Sequence, residues 1–321
     1  MNRLLPIFFT IFLMSSMSAC AHKVEEVLPP PAPVTPAPPV EPPVPIEDQI
    51  LIDRAGNNID VKNEYNKIVS FAPSISEMLL DLGYKDKVIA ITTYDTTFGD
   101  VSLPAFDMMN PDLESITALE PDLIITAISS GGQNSPFADL EASGVTVVSI
   151  PTAPTIEGIY EDIRFMGKLL NENAKATAIV DNMKSVVDSY KQKSAGIEDK
   201  KTVYFEISPA PYMYSTGKDT YLNEMIEIVG AENIFEDQTG WFAPTDELIL
   251  VDNPDVILTN VNYIEDPVAE IKARNGWDVI NAVKNNEVFY VNNGWTSIPN
   301  QSIINGIKEM AEIIYPDYYK E

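Results

Sequence analysis

Short runs of β-branched and other apolar residues alternate along the chain with longer segments of helical periodicity. This alternation predicts α/β layers around a largely parallel sheet. The predicted strands are residues 67–71, 88–92, 123–126, 145–150, 202–207, 256–259 and 288–291. Helical periodicity covers residues 74–82 and 156–170. Upstream, the segment ILIDRAGNNIDV predicts a small hairpin that turns at Gly56-Asn57.

A longer helical pattern separates the two sets of strands. Between residues 172 and 195 there is no proline or glycine, and apolar side chains recur at spacings of three and four. The positions are Ala176, Val180, Met183, Val187 and Tyr190. The pattern predicts a helix of about six turns that connects two lobes. Because such a connector is rigid, we expect little hinge opening between the lobes.

The two halves of the chain repeat one pattern. In LESITALEPDLIIT, Glu114 stands seven residues before Pro121, and in DELILVDNPDVILT, Glu247 stands seven residues before Pro254. Both pairs are offset by 133 residues. In each copy a short helix carries the glutamate, and a Pro-Asp turn then leads into a buried strand. The repeat predicts two lobes of similar structure.

The N-terminus is typical of an exported protein. Arg3 precedes an apolar run over residues 4–14 and the stretch SSMSA, and this run is too short to span a bilayer permanently. The sequence MSAC resembles the lipobox of bacterial lipoproteins, which implies a diacylglycerol on Cys20. The alternative is an ordinary cleaved signal in which this cysteine is incidental. Ten prolines over residues 29–45 then predict an extended spacer of roughly 50 Å.

The predicted organisation of the chain has five parts. They are a signal peptide (1–19), a lipid anchor and linker (20–47), an N-terminal α/β lobe (48–170), a bridging helix (171–198) and a C-terminal α/β lobe (199–321). The 48 acidic and 21 basic residues give a net charge of −27, so we expect no binding to nucleic acid. We expect a monomer outside the cytoplasm, anchored to a membrane.

Composition also argues against an enzyme or a metalloprotein. The only histidine, His22, and the only cysteine, Cys20, lie before the folded part. Triads built on either residue are therefore unavailable there, and direct zinc or manganese binding is disfavoured. We predict no catalytic residue, no metal ligand and no cofactor. A structural or adhesive surface lipoprotein is the remaining class, but it gives no reason to line a cleft with aromatic residues.

An ordered set of segments carries a resemblance to a known family. They are KIVSFAPSISEMLLDLG, DLESITALEPDLII, STGKDTYLNEMIEIVGAENIF, and NPDVILTNV followed by EVFYVNN, within residues 66–316. The chain resembles the periplasmic binding proteins that serve ABC importers of cobalamin, haem and ferric siderophores. The resemblance implies a class III substrate-binding protein, with two Rossmann-like lobes bridged by a single long α-helix and the ligand in the cleft between them.

The resemblance also implies partners. Family members serve a complex of a permease and its ATPase, and they dock on the permease through one acidic residue on each lobe, which meets arginines of the transporter. By position these residues match Glu114 and Glu247. The alternative is that both glutamates only complement the dipole at a helix start. Their matched placement in both halves favours docking.

Candidate ligand-binding residues come from loops beyond the carboxyl ends of the predicted strands, where open α/β folds bind ligands. They are Tyr94, Phe106, Ser130, Tyr212, Trp241, Phe242 and Trp295. Trp295 is included because it follows Asn-Asn-Gly in a predicted loop, whereas Trp277 is assigned to packing. Tyr212 and Tyr214 are equally compatible with a lining role and a core role.

This aromatic, amide-rich set suits a large, rigid, partly apolar ligand such as a corrinoid. Anionic ferric siderophores would call for arginine, and Arg54, Arg164 and Arg274 all lie outside the predicted cleft loops. By resemblance, Tyr94 and Trp241 correspond to aromatic residues that contact the corrin, while Phe106 stands near a position where tryptophan is expected. Haem, with Tyr94 as its axial ligand, and a ferric siderophore are the alternatives.

Overall fold

The computed structural model describes residues 50–99, 102–127 and 136–319. These begin with an antiparallel hairpin of two strands, β1 (Ile50–Ile52) and β2 (Asn58–Asp60). The Asp53 amide closes the turn by donating to the Asn57 carbonyl at 3.0 Å. Gly56 has a φ of 89°, which glycine adopts without steric cost. The predicted hairpin is confirmed.

The first sheet is parallel and has five strands. They are β3 (Ile68–Phe71), β4 (Val88–Thr92), β5 (Ala105–Phe106), β6 (Leu123–Thr126) and β7 (Thr146–Ser149). Their order across the sheet is β5-β4-β3-β6-β7. Four of them were predicted to within one residue at each end, and β5 was missed. We call this sheet and the helices packed on it the N-lobe.

The second sheet is also parallel and has four strands. They are β8 (Thr202–Glu206), β10 (Glu232–Asn233), β12 (Val256–Thr259) and β13 (Val288–Tyr290), in the order β10-β8-β12-β13. A separate antiparallel pair joins β9 (Ser215–Thr216) to β11 (Trp241–Phe242). We call this part of the chain, with its helices, the C-lobe.

The two sheets share one topology, as the internal repeat predicted. In the N-lobe β3 lies between β4 and β6, and in the C-lobe β8 lies between β10 and β12. The strands β6 and β12 are the ones offset by 133 residues. The two-lobed α/β fold class is therefore confirmed.

Twelve α-helices surround the sheets in the described part of the chain. They are α1 (Pro73–Leu82), α2 (Leu113–Ala118), α3 (Ala138–Ala142), α4 (Ile156–Leu169), α5 (Asn173–Ser194), α6 (Tyr221–Ile228), α7 (Asp246–Asp252), α8 (Pro267–Lys272), α9 (Asn281–Lys284), α10 (Asn293–Thr296), α11 (Ile303–Ile314) and α12 (Pro316–Tyr319). Within the described ranges no helix is long and apolar enough to cross a membrane.

The long helix α5 runs between the two lobes, as its apolar stripe predicted. Ala176, Val180, Met183 and Val187 are buried, while Tyr190 is half-buried and stacks on Tyr319 with ring centroids 5.4 Å apart. These side chains belong to one apolar cluster that also contains the inner faces of both sheets and residues of α1, α4, α6 and α11. A continuous core therefore joins the lobes through α5.

Hydrogen bonds between the lobes flank this core. The Asn300 side-chain amide, just before α11, donates to Glu77 Oε2 on α1 at 2.7 Å. The Ile156 amide at the start of α4 donates to Glu224 Oε2 on α6 at 2.8 Å. Burial raises the pKa of both carboxyl groups above the usual value. The N-lobe and C-lobe are thus connected by polar contacts as well as by packing.

Candidate functional site

In the N-lobe the structure places two predicted ligand residues beside each other. Phe106 pairs with Thr92 across β4 and β5, and the Thr93 amide donates to the Phe106 carbonyl at 3.0 Å. Tyr94 follows the carboxyl end of β4 and its side chain is 67% exposed. Phe106 is half-buried against the outer face of the sheet. The loop expected at Phe106 is wrong, because its backbone pairs with β4.

In the C-lobe the predicted residues come from two segments. Tyr212, between β8 and β9, is 83% exposed. Trp241 and Phe242 are half-buried in β11, where a loop was expected, because their backbones pair with β9. The Trp241 ring lies 5.5 Å from the ring of buried Tyr221, and the Phe242 ring lies 5.0 Å from that of Phe235. Packing thus fixes both rings on one side.

Trp295 lies in the short helix α10, so the loop predicted there is also wrong. The Asn292 side chain caps this helix by accepting a hydrogen bond from the Trp295 amide at 3.2 Å. A Cβ on Gly306 of α11 would come within 2.8 Å of the Trp295 carbonyl oxygen, so glycine is required for this close approach. Trp295 is half-buried, and Trp277 is fully buried as expected.

Tyr94 with Phe106, and Trp241 with Phe242, are the predicted ligand residues that the structure brings together. Tyr94, Tyr212 and Trp295 each follow the carboxyl end of a parallel strand, which is the edge where this class of fold binds ligands. Ser130 and Cys20 lie outside the described residues. Their roles in ligand binding and lipidation stay predictions.

The two candidate docking residues occupy the same position in matched helices. Glu114 is the second residue of α2, which Asp112 caps by accepting from the Ser115 amide at 3.1 Å. Glu247 is the second residue of α7, where Thr245 accepts from the Leu248 amide at 3.4 Å. Both glutamates are exposed. Their docking role stays a prediction, because a helix start favours a carboxylate in any protein.

Hydrogen bonds to the Glu247 carboxylate, first from its own backbone amide and then from the Thr245 hydroxyl, lower its pKa. Hydrogen bonds from Ser115 likewise lower the pKa of Asp112. Both helix starts therefore present ionised carboxylates at neutral pH. Such groups can meet cationic side chains of a partner.

Two grooves flank α5, away from these aromatic residues. One, of about 610 Å³, lies between α4, α5 and α6, and the other, of about 440 Å³, lies between α1, α5 and α11. The predicted ligand residues line neither groove. In the described ranges, no three His, Cys, Asp or Glu side chains are placed to hold a metal ion.

Sequence reasoning missed a polar network at the carboxyl ends of β12 and β13. Asn260 directly follows β12 and is 1% exposed, and its side-chain amide donates to Thr296 Oγ1 at 3.0 Å and to Ser297 Oγ at 2.9 Å. The position of Asn260 after a buried strand was a usable signal. Its partners, 36 and 37 residues away, were not visible in the sequence.

Two parallel α/β sheets of one topology, joined by a long helix, define a class III substrate-binding fold. The periplasmic binding protein family matches residues 68–293. The chain therefore belongs to the periplasmic binding protein family. Such proteins bind a small ligand and deliver it to the permease of an ABC transporter; they are not enzymes.

Individual relatives show how far the similarity extends. The chain is 36% identical over 277 residues to the uncharacterized ABC transporter substrate-binding lipoprotein YvrC of Bacillus subtilis, covering 85% of this chain and 87% of that one. It is 25% identical over 250 residues to the vitamin B12-binding protein of Vibrio campbellii, covering 77% and 88%.

A solved structure gives a third comparison. The crystal structure of a possible iron-binding (periplasmic solute-binding) protein from Staphylococcus epidermidis is similar with a TM-score of 0.68 and 32% sequence identity. The match covers 79% of this chain and all of that one. The fold is thus shared with proteins whose names point to different ligands.

Proposed function

We propose that the chain captures a corrinoid in the cleft between its lobes and delivers it to the permease of an ABC importer. In this proposal Cys20 carries the lipid anchor and the proline-rich segment is the spacer. Glu114 and Glu247 dock the protein on the permease. Tyr94, Phe106, Ser130, Tyr212, Trp241, Phe242 and Trp295 contact the ligand.

The main support for a corrinoid over an anionic ligand is that the arginine side chains are already ion-paired. In the described part of the chain, all three arginines are already paired with carboxylates: Arg54 with Asp162, Arg164 with Glu157, and Arg274 with Glu206 and Glu270. An anionic ligand such as haem or a carboxylate siderophore is best recognised by the bidentate guanidinium of an unpaired arginine. A corrinoid, whose rim is made of neutral amides, does not need one.

The exposed aromatic side chains support the same ligand class. Tyr94 and Tyr212 present large faces to solvent at the carboxyl edges of the two sheets. Aromatic faces contribute about 0.5–1.5 kcal/mol per contact beyond the area buried. The similarity to the vitamin B12-binding protein of Vibrio campbellii agrees with this proposal.

The alternative ligand is haem or a ferric siderophore. The Staphylococcus epidermidis protein, which is named as possibly iron-binding, is the specific observation in its favour. In that case the exposed hydroxyl of Tyr94 would be the candidate iron ligand.

The test is calorimetric titration of the purified chain with cyanocobalamin, cobinamide, haemin and a ferric siderophore. We expect one corrinoid per chain and no tight binding of the iron compounds. Tyr94→Ala should weaken corrinoid binding, whereas Tyr318→Ala in the C-terminal helix should not. Tight binding of haemin or a siderophore, without corrinoid binding, would move the function to iron uptake.

A further inference from the structure

The exposed sides of the two candidate docking helices differ beside their glutamates. Helix α7 carries Leu248 directly after Glu247, and Val251 follows one turn after the glutamate. At the 133-residue offset of the repeat, the same two positions of α2 are Ser115 and Ala118. Large apolar side chains therefore accompany the glutamate of the C-lobe, where small ones accompany the glutamate of the N-lobe.

Both apolar side chains of α7 face solvent together with the glutamate. With 3.6 residues in a turn, Val251 lies nearly above Glu247, and Leu248 lies beside them. The Val251 side chain is 80% exposed and that of Leu248 is 45% exposed. Ile249, on the opposite side of the helix, is fully buried in the C-lobe core. The outward side of α7 thus combines a carboxylate with two aliphatic side chains.

Val279 extends this surface from a neighbouring turn, which spans Trp277–Val279. The Trp277 indole donates to Asp246 Oδ1, at the start of α7, at 3.3 Å. The Asn281 amide donates to Asn253 Oδ1, at the end of α7, at 2.8 Å. Val279 lies between these contacts along the chain and is 52% exposed. We call the three exposed side chains the apolar face: Leu248, Val251 and Val279.

Exposed aliphatic side chains are concentrated at two places in the part of the chain that the structure describes. Among isoleucine, leucine and valine, the exposed residues are those of the apolar face and two on the hairpin, Ile50 and Ile52. A single exposed apolar residue needs no explanation, whereas a cluster of them indicates a surface that a partner covers. The apolar face is continuous with Glu247, so its partner should be the one that meets this glutamate.

We infer that the apolar face packs against the permease, next to the cation that pairs with Glu247. The matching permease surface is an aliphatic or aromatic patch beside an arginine, since it must complement aliphatic side chains beside a carboxylate. The contact of the C-lobe is then stronger than that of the N-lobe, and the two lobes cannot exchange places on the transporter. The inference rests on the proposed docking of Glu114 and Glu247 and deepens it by naming the chemistry of the partner surface.

The first test measures binding of the full chain to the permease and ATPase complex of its importer in nanodiscs, by surface plasmon resonance. Leu248→Ser with Val251→Ala gives α7 the side chains that α2 has at the same positions. This variant should bind about tenfold more weakly, because docking removes less apolar surface from water. Ile50→Ser with Ile52→Ser is the matched control: these side chains are also exposed, at 61% and 66%, and their loss should leave binding unchanged.

Salt separates the apolar face from the neighbouring charge. The loss of affinity in Leu248→Ser with Val251→Ala should be the same factor at low and at high salt, because burial of apolar surface is not screened. Glu247→Gln should also weaken binding, but its loss should shrink at high salt, because ions screen exposed charges. A loss that shrank equally in both variants would overturn a packing role for the apolar face.

The remaining outcomes separate this inference from the docking on which it rests. Undiminished binding by Leu248→Ser with Val251→Ala, alongside weaker binding by Glu247→Gln, would overturn the apolar face and leave docking through the glutamates intact. If the unmodified chain does not bind the complex, the proposed docking fails and the inference fails with it. Sedimentation velocity of the chain alone tests a second copy as the partner. We expect a monomer, and a dimer that the double variant dissociates would overturn the assignment to the permease.

Discussion

The last residue of corresponding strands is apolar in the N-lobe and charged in the C-lobe. Phe71 ends β3 and pairs with Thr126, while Glu206 ends β8 and pairs with Thr259. The two threonines are related by the same 133-residue offset as the rest of the repeat. Phe71 and Glu206 are both fully buried. An aromatic ring and a carboxylate thus occupy corresponding sites in two sheets of one topology.

Their surroundings explain why both are tolerated. Phe71 packs on Phe137 with ring centroids 5.3 Å apart. Glu206 accepts hydrogen bonds from the Arg274 guanidinium at 2.6 and 2.8 Å, and Arg274 also pairs with Glu270. Burial raises the pKa of Glu206, while Arg274 opposes that rise. Strand pairing therefore sets the architecture. The end of the strand tolerates either an aromatic ring or a carboxylate, provided that a neighbouring helix or loop supplies a second ring or an arginine.

Replacing Phe71 of the N-lobe by the glutamate found at the corresponding position of the C-lobe should have the largest effect on stability. Phe71→Glu removes an aromatic packing contact, which costs about 3–5 kcal/mol, and buries a carboxylate without an arginine, which costs several more. We expect the free energy of unfolding to fall by more than about 5 kcal/mol. Urea denaturation, monitored by far-ultraviolet circular dichroism, measures this loss. Phe71→Leu is the control and should remain folded. An unchanged urea midpoint for Phe71→Glu would show that this position of the N-lobe tolerates a buried carboxylate without an arginine partner.

Removing the partner in the C-lobe should cost somewhat less. Arg274→Met leaves Glu206 buried and unpaired, so we expect the free energy of unfolding to fall by about 3–5 kcal/mol. Arg164→Met is the matched control: its pair with Glu157 is exposed on both sides and should contribute at most about 1 kcal/mol.

The double variant Glu206→Leu with Arg274→Met sharpens this result. Since no buried charge is left unpaired, and Glu270, which also loses its arginine, is partly exposed, its stability should return close to that of the original chain. If the double variant were as unstable as Arg274→Met alone, the loss would come from the packing of Arg274 on Trp277, whose ring lies 4.5 Å away, and not from the unpaired carboxylate.

Much of the architecture that the two lobes share was predictable from the sequence, because strands buried on both faces appear as continuous apolar runs. The runs at β6 and β12 were located to the residue, and the stripe on α5 was assigned correctly. The repeat then predicted the matched lobes. Local sequence carries this information, since strand and helix periodicities extend over only a few residues.

The contacts that distinguish the lobes were not predictable. Glu206 and Arg274 lie 68 residues apart, and no local pattern links them. The two-residue strands β5 and β11 and the single turn of α10 were taken for loops, because such short elements exist only through their tertiary partners. The candidate cleft was likewise predicted as separate aromatic residues, whereas the Asn260 network depends on folding that brings β12 and β13 together.

The N-lobe has an arginine pair of its own, between Arg54 on the hairpin and the buried Asp162, and it should give a measurable pH dependence. Arg54 donates to Asp162 of α4 at 2.6 Å, yet burial raises the pKa of Asp162 to about 6. The folded state then holds this proton more tightly than the unfolded state. Well below pH 4 the carboxyl is protonated in both states, so the stabilisation it provides is complete there and is lost as the pH rises through about 6.

In Asp162→Asn this part of the pH dependence should be absent. Between pH 4 and pH 7 the original chain should lose about 2 kcal/mol more of its free energy of unfolding than Asp162→Asn loses. Urea titrations at several pH values measure the difference. Asp139→Asn, at an exposed position of α3, should behave like the original chain. Parallel profiles for Asp162→Asn and the original chain would mean that Asp162 titrates alike in the folded and unfolded states.

The smallest effect on stability is expected where the lobes are most alike. Glu114 and Glu247 occupy the second position of α2 and α7, are exposed, and form no ion pair within the described residues. Reversing both charges, Glu114→Arg with Glu247→Arg, should lower the urea midpoint only slightly, because each helix start loses a favourable carboxylate, and should leave ligand affinity unchanged. If they dock the permease, the same variant should abolish ligand transport in vesicles that contain the transporter, because arginine would then face arginine.

Glu161→Arg with Glu312→Arg, an equal charge change at exposed positions on α4 and α11, should transport normally. Normal transport by the Glu114 and Glu247 variant would leave both residues as helix-start carboxylates only.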